Sequence, residues 1–76
     1  MEENKEPYSI VSSRPLTERE FEVLKQLVTG KSNTQIAKEL VLSVHTVKAH
    51  VCSILHKMAV KDRVQAAVKA VRNGLV

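Results

Sequence analysis

The sequence predicts an all-α protein, a four-helix bundle that contains a helix-turn-helix. Apolar residues recur at three- and four-residue steps in four separate segments. Three of those segments open on a short polar residue followed three positions later by Glu or Gln, the signature of a capped helix start. No segment alternates apolar and polar residues as a half-buried strand would.

Met1 to Ser13 is polar, holds Pro7 and keeps no period, and it reads as a flexible tail in which Tyr8, Ile10 and Val11 suit local packing. Residues 14–76 read as the folded domain. Thr17-Glu18-Arg19-Glu20 has the form of a capping box, and Pro15 upstream suits a chain entering a helix. Phe21, Leu24, Leu27 and Val28, joined by Val23, give helix one its apolar face. Gly30 suits the C′ position, so this helix is expected over about 17–29.

Ser32-Asn33-Thr34-Gln35 repeats the box, and Ile36, Ala37 and Leu40 supply a short apolar face for a second helix over about 33–40. After Val41 and Leu42, Ser43 caps a third helix running to about Met58. Its stripe is Val44, Val47, Val51, Ile54, Leu55 and Met58. Asp62-Arg63-Val64-Gln65 is a third box. The fourth helix follows with Val64, Ala67, Val68 and Val71 as its apolar positions and ends near Gly74.

Composition narrows the function. A chain of 76 residues with one Cys forms no internal disulfide and no four-Cys zinc site, and the lone thiol suits a reducing compartment. No apolar run approaches the roughly 20 residues of a membrane span, and no signal peptide is evident, so a cytoplasmic protein without membrane contact is expected. The net charge of +4 is uneven: residues 1–14 carry three Glu against Lys5 and Arg14, whereas residues 15–76 carry ten Lys and Arg against five acids. That balance fits a polyanion partner or merely a solvated basic surface. One Tyr and one Phe argue against the aromatic stacking that single-stranded nucleic acid needs.

The third helix is the most informative. Opposite its apolar stripe lie His45, Lys48, Ala49, Cys52 and His56, and no acidic residue occurs from Leu40 to Lys57. A small, basic, acid-free helix face suits the major groove of DNA. Two helices about three residues apart, the second longer and basic, fit a helix-turn-helix over about 33–52, with a recognition helix over about 43–58.

Leu16-Thr17-x-Arg19-Glu20-x-x-Val23-Leu24, Gly30-x-x-Asn33-x-x-Ile36-Ala37-x-x-Leu40, Ser43-x-x-Thr46-Val47-Lys48-x-His50-Val51-x-x-Ile54, and Lys57, Val60, Arg63 and Ala66-Ala67 are in step. This pattern resembles the LuxR/NarL (GerE-type) DNA-binding domain from about Pro15 to Val71, without a gap. The resemblance implies a four-helix domain acting in bacterial-type transcription control. Its third helix would read double-stranded promoter DNA, and its fourth often forms a two-fold homodimer, here through Val64, Ala67, Val68 and Val71. By position, Lys48, Ala49 and Cys52 fall where the family points side chains at base edges; Thr46, Lys57, Asn33 and Thr34 fall where it meets phosphate. RNA polymerase is an expected protein partner. Fourteen residues ahead of Pro15 are too few for a receiver or ligand-binding domain, so a stand-alone small regulator is expected.

Three positions depart from the family. Cys52 stands where a long polar or basic residue is frequent, and Ser53 where Asn is, which implies altered base readout. Met58-Ala59 replaces a Leu-Gly-like pair, which reads as a conservative packing change.

Each site residue also has a plainer reading. Ser43 suits a DNA phosphate contact but is foremost an N-cap; Thr46 is balanced between cap region and phosphate; Lys57 can instead complement the helix C-terminus. His50 reads as a partly buried histidine beside the stripe. His45, Cys52 and His56 share the outer face, but a seven-residue step separates the first two by about two turns, which disfavours a shared metal. Cys52 is a small groove contact or a tolerated small residue, with a redox switch, and hence a redox partner, as the minority alternative. Cys52 with His56 lacks a pocket and a third orienting group, so no enzyme, catalytic residue or cofactor is expected. The rival from another class is a protein-interaction module whose basic face is incidental.

Overall fold

A computed structural model describes residues 15–76; the tail expected over 1–13 lies outside the described residues. Four helices follow one another, α1 (Glu18–Val28), α2 (Asn33–Leu40), α3 (Val44–Met58) and α4 (Arg63–Arg72), with no strand among the described residues. All four expected elements are present, and the bounds of α2 agree to the residue.

Their starts are dictated locally. Thr17 and Ser32 each accept from the amide three residues on, while Glu20 and Gln35 reach back to the cap amide, so both expected capping boxes close. At α4 only half a box forms. Asp62 accepts from the Gln65 amide at 2.9 Å, but Gln65 Oε1 bonds the Lys61 amide, at 3.0 Å, one residue further back than the pattern predicts.

The helix ends share one device. In each case the amide after the end returns to a carbonyl five residues back: Lys31 to Gln26, Leu42 to Ala37, Val60 to Leu55 and Leu75 to Ala70. This closure needs a left-handed residue at the turn. Gly30 (φ 88) and Gly74 (φ 70) supply it at two ends; Val41 (φ 56) and Ala59 (φ 57) do so at the others. Ala59 is therefore a backbone position under strain, which corrects its reading as a packing change.

The core is Val23, Leu24 and Leu27 of α1, Ile36 and Ala37 of α2, Val47, Val51, Ile54 and Met58 of α3, and Ala66 and Ala70 of α4. Leu55 is half-buried, and Val44, at the open end of the α3 stripe, is 37% exposed. The apolar residues of α4 divide: the valines offered both to the core and to a partner turn outward, and two of its alanines turn inward. Val64, Val68 and Val71 are 69%, 49% and 56% exposed, and the smaller Ala66 and Ala70 are buried. Side-chain size explains the division: α4 packs on α1 and α3 through methyl groups, which permit a close approach that valines would prop open.

Candidate nucleic-acid interface

The outer face of α3 is built by what holds its inner face. Val47, Val51, Ile54 and Met58 are buried against the rest of the core, which turns His45, Lys48, Ala49, Cys52 and His56 to solvent. The side chains available there are short or basic, and residues 40–57 contain no carboxylate to repel a polyanion.

Ser43 and Thr46 form a compact start to this helix. Ser43 Oγ accepts from the Thr46 amide at 3.0 Å and donates to Thr46 Oγ1 at 2.9 Å. Both roles of the Ser43 hydroxyl are thereby used, which favours its reading as a cap. Thr46 Oγ1 accepts from Ser43 and keeps its own proton to donate outward, the direction a phosphate oxygen requires.

The pose of α3 is set by a buried ionic cluster with α1. Glu20 is 5% exposed. Its Oε1 accepts from the Thr17 amide at 2.9 Å and from Lys57 Nζ at 2.8 Å, and its Oε2 accepts from Ser53 Oγ at 2.6 Å. Burial pushes the Glu20 carboxyl up, but the hydrogen bonds from Lys57, Ser53 and the Thr17 amide, with the Lys57 charge, outweigh it and hold its pKa at about 2. One carboxylate thus closes the α1 cap and ties two successive turns of α3 to it.

The sequence-predicted residues fall into three groups. Lys48, Ala49, Cys52 and His45 lie together on the exposed face of α3, and Thr34 is exposed at the start of α2. Asn33 is half-buried, and its Oδ1 accepts from the Arg63 guanidinium at 2.8 Å. Lys57 points inward: its side chain is 15% exposed and its ammonium is engaged by Glu20. Ser53 likewise turns to Glu20, so its departure from the family pattern bears on the α1–α3 contact.

Two side chains that sequence reasoning passed over also touch these helices. Arg63 of α4 donates to Asn33 Oδ1 and, at 2.7 Å, to the Lys31 carbonyl, and Lys69 donates to the Met58 carbonyl at 3.0 Å. A basic residue gives no local sign of which distant carbonyl it will meet, so only the register of the Arg63 match hinted at a role. Cys52 is exposed and free. Among the described residues no three His, Cys, Asp or Glu side chains are grouped to hold a metal ion, and no described helix is long and apolar enough to cross a membrane.

Residues 14–70 match the family described as bacterial regulatory proteins, luxR family. The chain is 51% identical over 61 residues to the transcriptional regulatory protein LiaR of Bacillus subtilis, covering 80% of this chain and 29% of that protein. It is 51% identical over 61 residues to the transcriptional regulatory protein DegU of Brevibacillus brevis, covering 80% and 26%. It is 44% identical over 61 residues to the response regulator protein VraR of Staphylococcus aureus, covering 80% and 29%. The crystal structure of response regulator ChrA in a heme-sensing two-component system is similar in fold, with a TM-score of 0.78 and 38% identity over 83% of this chain and 31% of that one. The chain thus spans less than a third of the length of these relatives.

Proposed function

Because the chain belongs to the luxR family of bacterial regulatory proteins, we propose that it is a sequence-specific, double-stranded DNA-binding regulator of transcription that reads the major groove with α3. One observation carries the reading: the exposed face of a helix tied to α1 by Glu20 is basic, short and free of acid. Lys48 donates to guanine O6 and N7 or to phosphate; Ala49 and Cys52 are short enough to let the helix sit deep and to meet a thymine methyl. Thr46 and Thr34 donate hydroxyl protons to backbone oxygens, and the amides opening α2 add a helix-terminus contact. Phosphate neutralisation by Lys and Arg supplies much of the affinity and makes it fall with salt.

A single domain of this size offers a small interface, so two copies on paired half-sites are the working form. The exposed Val64, Val68 and Val71 support self-association through α4, with Ala67 half-buried beside them. Val64 and Val68 border shallow apolar depressions on both flanks of α4, one reaching Leu27 and Val28, the other Val60. The activity belongs in the cytoplasm, where promoter DNA and RNA polymerase are found.

The test is selection of genomic fragments by the purified, reduced chain at two salt concentrations. One enriched motif supports the reading; uniform weak binding that vanishes with salt refutes it and returns the rival of a protein-interaction module. On the selected duplex, Lys48→Ala weakens binding by about 1–3 kcal/mol, and wild-type affinity in that variant would remove Lys48 from the interface.

A further inference from the structure

We infer that α4 positions both helices of the proposed DNA interface through two inward-facing basic side chains, Arg63 gripping the start of α2 and Lys69 gripping the end of α3. The inference rests on the DNA reading of those helices and adds to it a residue role for each.

The Arg63 guanidinium is half-buried and forked. It donates to the Asn33 side chain at 2.8 Å and to the Lys31 carbonyl at 2.7 Å. These two acceptors bracket Ser32, the cap of α2. A planar fork fixes the direction of both acceptors at once, which a single ammonium cannot do. The first turn of α2 is therefore aimed from α4. Six residues further along the same helix, Lys69 donates to the Met58 carbonyl at 3.0 Å. Met58 is the last residue of α3, where carbonyls lack intrahelical partners and a cation complements the helix dipole.

The buried apolar contact of α4 is made by Ala66, between these two anchors, and Ala70, just beyond the second, whose methyl groups give little resistance to sliding. Arg63 and Lys69 supply the register that the methyl groups do not. The same helix turns Val64, Val68 and Val71 outward, so a partner seated on that face bears on the start of α2 and the end of α3 together.

The experiment compares the full chain with Arg63→Lys, Arg63→Gln and Lys69→Met on the selected duplex at two salt concentrations. Arg63→Lys is expected to weaken binding about ten-fold, as much as Arg63→Gln, because it keeps the charge and loses the fork. The salt dependence is expected to stay that of wild type, since the guanidinium holds protein acceptors and not phosphate. Asn33→Ala is expected to add little in the Arg63→Gln background. Wild-type affinity in Arg63→Lys overturns the inference, and so does a salt slope lowered by about one, the mark of a direct phosphate contact. Lys69→Met provides an independent arm with the same expected loss should an Arg63 variant not fold. Failure of the wild-type chain to select DNA refutes the functional reading instead. In that case amide shifts of Asn33 and Thr34 that move in free Arg63→Lys uphold the grip on α2, and unmoved shifts overturn it.

Discussion

Replacing Val41 by glycine is expected to stabilise the domain, against the usual direction for a glycine substitution. Val41 ends α2 at φ 56 and ψ 52, a left-handed conformation that costs an L-residue about 1–2 kcal/mol and a β-branched one the most. Its side chain is 89% exposed, so truncation removes almost no buried surface. Glycine relieves the strain but gains freedom in the unfolded chain worth about 0.4–1 kcal/mol. The balance favours Val41→Gly by roughly 0.5–1 kcal/mol, which for a domain of this size raises Tm by about 3–6 °C. Thermal unfolding followed by far-ultraviolet circular dichroism reads the shift. Ala59→Gly has the same sign and a smaller size, since alanine carries no β-branch. Gly30→Ala, at the equivalent turn of α1, lowers Tm. An unchanged or lowered Tm in Val41→Gly would refute the strain argument, because no lost packing is available to mask a gain.

Three further outcomes are expected. Glu20 sits at a folded pKa of about 2, below its ordinary value of 4.5, so the stability it contributes is present above that ordinary value and is lost as pH falls toward 2; Glu20→Gln should flatten urea stability across that window, and an unaltered pH profile would contradict the cluster's role. Val68→Glu places a charge on the outward face of α4 and should abolish self-association in sedimentation experiments while leaving the melting temperature within a few degrees; an unchanged dimer would move the interface elsewhere. If Cys52 senses oxidant, mild oxidation weakens DNA binding by the wild type and not by Cys52→Ser, and equal binding by both proteins under both conditions leaves Cys52 a bystander.

Most of the helical framework was legible because its determinants are local. Thr17 with Glu20 and Ser32 with Gln35 close their boxes within one turn, and Gly30 ends α1 where its missing Cβ allows it. The exposed face of α3 was equally legible, since burial of Val47, Val51 and Ile54 leaves Lys48, Ala49 and Cys52 nowhere but outside. The partition of α4 was legible only in part: periodicity offers its valines to the core as well as to a partner, and only the distance to α1 and α3 selects the alanines for the core. The inward turn of Lys57 was hidden for a related reason. A lysine near the end of a basic helix looks like a phosphate ligand until a buried carboxylate 37 positions earlier claims it.

The sequence by itself determined four capped helices, a helix-turn-helix and an acid-free reading face, because caps, periodicity and charge act over three or four residues. Tertiary structure alone decided which cations remain for a partner and which brace the fold. Lys57 is spent on Glu20, Arg63 on the start of α2 and Lys69 on the end of α3, whereas Lys48 stays at the surface. An ammonium or guanidinium takes its role from the acceptor it meets in space, and for Lys57 and Arg63 that acceptor lies some 30 or more residues away in the chain.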